Sequence, residues 1–175
     1  KLDQFNGLLA DGGSLDIPEH YGAGFAYRFG NTTIAGDLKR INWNDVDALG
    51  NAGVGTASGA PGTANGPGFG WRNQTVWRIG ISHQLNEAWT LRAGYSDGTQ
   101  ILNARDTYLG ILAPAANHAH ATLGATWVLA KGSALSLAYA RAFKDEVQGN
   151  GPGPNAATSL YMGQNWLSLS YGMSF

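Results

Sequence analysis

The sequence predicts an all-β chain, an antiparallel sheet of the kind that crosses an outer membrane as a barrel, and three features carry that expectation. Seven segments alternate large apolar residues with small or polar ones at a period of two, which is the period of an extended strand. The connections between them alternate strictly between tight turns and long loops, the asymmetry of barrels with short periplasmic turns and longer outer loops. Only 13% of the 175 residues are charged, about half the usual share for a soluble protein, so something other than surface charge must keep the chain dispersed.

The final segment sets the frame. Leu167, Leu169, Tyr171, Met173 and Phe175 fall on one face, and Ser168, Ser170, Gly172 and Ser174 on the other. In a barrel wall the first face meets lipid and the second meets the lumen, the reverse of a soluble sheet. The strand closes on an aromatic residue, Phe175, a terminal signature of outer-membrane barrels that implies the barrel assembly machinery as a partner.

From the amino end, residues 1–19 read as an outer loop, because Gly12-Gly13 and Pro18 punctuate a short apolar turn containing Phe5, Leu8 and Leu9. The first strand carries Tyr21, Ala23, Phe25, Tyr27 and Phe29 on its apolar face. Gly30-Asn31 is a two-residue hairpin signal, and the return strand alternates Ile34, Gly36 and Leu38 against Ala35, Asp37 and Lys39. Residues 44–73 form a long loop rich in Gly, Ala, Asn and Pro. The third strand follows with Trp77, Ile79 and Ile81, a turn at Leu85-Asn86-Glu87, and the fourth with Trp89, Leu91, Ala93 and Tyr95. Residues 97–117 form the second long loop. The fifth strand presents Ala121, Leu123, Ala125, Trp127 and Leu129, Lys131-Gly132 makes the turn, and the sixth presents Leu135, Leu137 and Tyr139. Residues 144–165 are read as the third long loop, and residues 1–175 as a single barrel segment.

Aromatic residues of the apolar face gather at strand ends, with Phe29, Trp89, Trp127 and Phe175 low and Tyr21, Tyr95 and Tyr139 high, as two interfacial girdles require. No apolar run approaches the roughly 20 residues of a membrane-spanning helix, so a membrane would be crossed by strands.

Composition narrows the function classes. With 11 Lys and Arg against 12 Asp and Glu and no basic stripe, nucleic acid is not an expected partner. Cysteine is absent, which excludes a disulfide framework, a thiolate metal site and a cysteine nucleophile. His118 and His120 with Asp106 fall short of a converging ligand set with a second shell, so no metal is expected. No Ser-His-Asp set, acid/base pair or phosphate loop is present; no cofactor and no enzymatic activity are expected.

Two groups of residues are candidates for function. Arg28, Asp37, Lys39, Arg78 and Arg92 lie on the polar faces of the first four strands and would line the lumen. They either attract an anionic ligand or pair with one another, and pairing is the commoner fate of intramembrane charge; a network joining Arg78 and Arg92 to Asp37 is expected. Phe5, Leu8, Leu9, Phe69, Trp71, Leu109, Ile111 and Leu112 fall in outer loops, where apolar clusters either mark a binding surface or pack the loops together.

Five stretches carry a resemblance: Leu15-Asp16-Ile17-Pro18-Glu19, Gly66-Pro67-Gly68-Phe69-Gly70-Trp71, Leu91-Arg92-Ala93-Gly94-Tyr95, Ile111-Leu112-Ala113-Pro114, and His120-Ala121-Thr122-Leu123-Gly124. In order and spacing they resemble the FadL/TodX family of outer-membrane transporters for long-chain fatty acids and other hydrophobic compounds. The similarity covers nearly the whole chain, with Gln100-Ile101 standing where the family tends to carry a proline.

The resemblance implies a fourteen-stranded barrel plugged by an N-terminal hatch, of which these are the last seven strands. It implies passive uptake of hydrophobic molecules such as long-chain fatty acids or aromatic hydrocarbons, first captured by the outer loops. Its implied surroundings are outer-membrane lipid and lipopolysaccharide, with a missing N-terminal half or a second copy needed for closure. The alternative is a small closed barrel, seven strands plus one from residues 1–12, with a structural or surface-interaction role. Eight strands would leave an interior filled by side chains.

Overall fold

A computed structural model of the chain describes residues 7–130 and 132–173. The expectations placed on Phe5, Lys131 and Phe175 lie outside the described residues.

The seven strands are β1 (His20–Phe29), β2 (Thr32–Ile41), β3 (Gln74–Gln84), β4 (Trp89–Gly98), β5 (His120–Ala130), β6 (Ser133–Gln148) and β7 (Ser159–Met173). Each pairs antiparallel with the next in the order β1-β2-β3-β4-β5-β6-β7, so the sheet is open, with β1 and β7 at its edges. Among the described residues of the first loop there is no eighth strand: Ala10–Gly13 is a 3-10 turn. The described sheet is open, and residues 7–12 add no strand to it; residues 1–6 of the expected eighth strand lie outside the described residues.

Register explains why the two faces differ. One row of cross-strand partners runs Tyr27, Ile34, Ile81, Ala93, Leu123, Tyr139, Leu167 through all seven strands. The row beside it runs Arg28, Thr33, Ser82, Arg92, Gly124, Ala138, Ser168 and lies on the opposite face. A one-residue slip in any pair would move an apolar set to the polar face, so the alternation fixes the register. Leu167 is 75% exposed, Leu169 68% and Tyr171 60%, with no protein layer over them. A sheet that presents such rows on one face and serines on the other is built for lipid on the first and water on the second.

The turns follow from their residues. Gly30 has φ of +54° whereas Asn31 stays on the negative side, the pattern of a II′ turn, whose twist matches the strands it joins. In the β3–β4 connection the Asn86 carboxamide oxygen accepts the N–H groups of Ala88 and Trp89, both at 2.9 Å, and closes the turn locally.

The first two long loops, 42–73 and 99–119, differ from expectation by two residues at their ends, and the third by more. The third outer loop is 149–158 rather than 144–165, because β6 and β7 pair well above the others, as far as Gln148 with Ser159. The register shifts between Ala142 and Asp145. This bulge breaks the period of two at Phe143-Lys144, the cue by which the sequence marks a strand.

The sheet contributes little to the buried core, which sits in the loops. One cluster joins Leu9, Val46, Ala48, Leu49, Phe69 and Leu109; the other joins Ile101, Leu102, Ala116 and Leu160. Loops 42–73 and 99–119, with segment 7–19 and the tips of β6 and β7, thus form a packed cap at the outer end of the wall.

Candidate functional site

The cap is held by two buried polar side chains. Asp106, 5% exposed, accepts the Gly53 N–H at 2.8 Å, the Asn103 carboxamide N–H at 2.9 Å, and the hydroxyl of Thr56. Gly70, at φ of +66°, passes so close that a side chain there would run into Asp106. Asn155 is fully buried. Its side-chain oxygen accepts the Tyr108 N–H at 2.9 Å, and its side-chain nitrogen donates to the Val54 carbonyl at 2.8 Å. Its carbonyl accepts the Thr107 hydroxyl at 3.0 Å. Every hydrogen-bonding group of these two side chains is engaged, which is what makes burying them tolerable.

Segment 7–19 is stitched to the same body, with the Ala10 N–H on the Pro67 carbonyl at 2.7 Å and the Asp11 N–H on Thr63 at 3.1 Å.

The structure divides the predicted apolar loop residues into two sets. Leu9, Phe69 and Leu109 are buried in the first cluster, with Leu8 and Trp71 half-buried against it. Ile111 and Leu112, on and just after a 3-10 turn at Leu109–Ile111, stand out at 57% and 65% exposure. Leu15 and Ile17, at 46% and 88%, are equally exposed but lie in segment 7–19, where flanking acidic residues hide them from a reading by hydrophobic runs. Trp43 was not singled out by the sequence, yet it meets Trp71 edge-on at 5.4 Å between ring centres. Both indole N–H groups are buried without a hydrogen-bond partner, two unfilled donors within the cap.

The lumen charges lie on the polar face as expected, but in smaller groups. Arg78 pairs with Asp37 directly across β2 and β3, at 2.7 and 2.8 Å. Arg92 does not join this pair. Its guanidinium donates to the Thr126 hydroxyl at 2.7 Å, because register places it four residues lower along the sheet than the Asp37–Arg78 row, beside Ser82 and Gly124. The Arg28 side chain donates to the Gly30 carbonyl at 3.3 Å, and Lys39 sits opposite Gly22 and Val76.

The histidines also separate. Both ring nitrogens of His118 are engaged by carboxylates, Nδ1 with Asp97 at 2.7 Å and Nε2 with Asp145 at 3.0 Å, tying β4 to β6. His120 stacks on Trp166 at 6.2 Å. Asp106 belongs to the cap, so the three converge on no common point.

An amphipathic antiparallel wall with aromatic ends and a packed outer cap has the architecture of an outer-membrane β-barrel wall. The chain belongs to the outer membrane protein transport protein (OMPP1/FadL/TodX) family, whose model matches residues 8–168. It is similar to a deltaS2S3 mutant of the TodX monoaromatic hydrocarbon channel, at 24% identity and a TM-score of 0.63, over 90% of this chain and 36% of that one. The crystal structure of the P. putida toluene transporter TodX matches at 21% identity and a TM-score of 0.63, over 93% of this chain and 36% of that one. A P. aeruginosa FadL homologue matches at 17% identity and a TM-score of 0.61, over 91% and 36%. The chain thus spans about a third of the length of each of these proteins. Among curated proteins none matches. The family is described as outer-membrane transport proteins and TodX as a channel and transporter, and the protein is an outer-membrane one.

Proposed function

We propose that this chain forms the C-terminal wall and outer cap of a barrel that takes up hydrophobic molecules passively, with long-chain fatty acids or aromatic hydrocarbons as the ligand class. The observation that carries this reading is the pairing of an immobilised cap with exposed apolar side chains. Ile111 and Leu112 face water on a turn whose neighbours Tyr108 and Leu109 are held by Asn155 and by the core. A pre-ordered apolar edge gains roughly 25 cal/mol for each Å² it removes from water and spends little on ordering itself. Phe69, Leu9 and Leu109 act as the support of that edge, while Ile111, Leu112 and the rim of Trp71 act as its contact surface.

The lumen charges serve mainly to keep a polar, solvated wall. In the complete barrel the remaining strands come from a preceding half or from a second copy. The test is uptake of a fluorescent fatty acid and of toluene by outer membranes containing the complete barrel, compared with membranes lacking it. Faster entry of hydrophobic compounds with unchanged entry of a sugar of similar size supports the proposal. Equal entry of all three would replace it with a general pore or a structural role.

A further inference from the structure

On the outer face of β6 and β7 the side chains change character at one level. Arg141 and Asn165 are cross-strand partners above the row of Tyr139 and Leu167. Arg141 and the Tyr139 hydroxyl both donate to the Asn165 carboxamide oxygen, at 2.8 and 2.7 Å, which places all three on the lipid-facing side. Lys144, in the bulge, lies with its ammonium 4.8 Å from the centre of the Tyr161 ring, four residues along the same face of β7 from Asn165. Among the described residues neither cation has a carboxylate partner, although Glu146 shares this face opposite Tyr161.

The level is telling. Asn165 lies eight residues and Tyr161 twelve residues above Met173 on β7, which at about 3.3 Å per residue and a tilt of about 40° is roughly 20 and 30 Å of height, so the two cations straddle the upper border of an apolar band about 25 Å tall. Cations here meet lipid headgroups rather than acyl chains. Below it and toward β4 and β5, a groove of about 480 Å³ opens on the lipid face between Leu91, Ala93, Leu123, Ala125, Leu137 and Tyr139, where two alanines interrupt larger neighbours. Tyr139 belongs to both features.

We propose that this surface seats one phosphorylated lipid of the outer leaflet, with a headgroup phosphate on Arg141 and Lys144 and an acyl chain in the groove beneath. Arginine meets phosphate with a fork of donors and lysine meets it as a point charge. Asn165, itself fixed by the Tyr139 hydroxyl, holds the guanidinium in place, and the Tyr161 ring holds the ammonium. The groove accounts for the second half of the ligand, since a free phosphate would have no use for it. This site is independent of which compound the barrel transports.

The experiment uses the complete barrel purified in neutral detergent, with bound lipid counted by native mass spectrometry. It is titrated with diphosphorylated lipid A, with its dephosphorylated counterpart, and with inorganic phosphate. Arg141→Ala with Lys144→Ala is expected to weaken the diphosphorylated lipid by roughly 25-fold, at about fivefold per cation, and to leave the dephosphorylated one unchanged. Ala125→Trp, which fills the groove, is expected to weaken both lipids. Arg141→Lys with Lys144 intact is expected to recover most of the binding, which separates lost charge from lost folding. Wild-type affinity in the double alanine variant would overturn the proposal, and so would displacement of the lipid by an equal concentration of inorganic phosphate.

Discussion

The side-chain nitrogen of Asn155 donates to the carbonyl of Val54 at 2.8 Å, a contact between residues 101 positions apart that joins the third outer loop to the first. The same carboxamide accepts the N–H of Tyr108 from the second loop, so one buried side chain holds three loops in a single body. Asn155→Ala leaves the Val54 carbonyl and the Tyr108 N–H unpaired, at about 1 to 3 kcal/mol for each buried group. Hydrogen exchange should show faster exchange at Tyr108 and across loops 42–73 and 149–158, with the strand amides unchanged. Uniform protection throughout would mean that the loops are held by the apolar clusters alone.

Gly70 is held to glycine twice over, by its positive φ and by the nearness of Asp106. Gly70→Ala is expected to destabilise the cap by more than about 1 kcal/mol through backbone strain and displacement of that carboxylate. Limited proteolysis, read as cleavage within 42–73 before any loss of the heat-resistant barrel form, checks this.

The Arg78–Asp37 pair has side chains 52% and 38% exposed, so water screens it. Arg78→Ala should cost no more than about 1 kcal/mol of barrel stability, and Arg92→Ala a similar amount without coupling to Asp37. A double-mutant cycle in urea measures both. A coupling energy between Arg92 and Asp37 as large as that between Arg78 and Asp37 would show a shared network after all.

Much of the wall is legible in the sequence because the wall is periodic. Tyr27, Ile81, Leu123 and Leu167 announce their face by alternation, and loop parity places each connection. The reading falters where periodicity does. The extension of β6 past Lys144 is hidden by the bulge, and above the apolar band Glu146 and Gln148 no longer need to be greasy on the outer face. The expectation that Arg92 joins Asp37 fails because a place on the lumen face does not give the row. The cap is legible only as an apolar excess at Phe69, Trp71 and Leu109, since the bonds by which the Asp106 and Asn155 side chains join the loops span 47 to 101 residues and leave no local pattern.

The unpartnered indole N–H groups of Trp43 and Trp71 supply a further prediction. Trp71→Phe removes an unsatisfied donor while keeping an aromatic ring against Phe69 and Trp43, so cap stability should be unchanged or slightly raised. If a ligand oxygen takes up that donor, as a fatty acid can and toluene cannot, the same variant will weaken fatty-acid binding severalfold and spare toluene. Equal effects on the two ligands would assign Trp71 a packing role alone.

The central claim is that capture begins at the exposed edge of the cap and not at the lumen charges. Binding of a fluorescent fatty acid to the complete barrel, measured for Ile111→Ser with Leu112→Ser and separately for Arg92→Ala, tests it most directly, because both loop residues are exposed and their replacement leaves the core intact. The account predicts affinity lowered about tenfold or more in the loop variant, the scale of one to two apolar side chains losing contact, and near-normal affinity in Arg92→Ala. Normal binding by the loop variant together with lost binding in Arg92→Ala would contradict it.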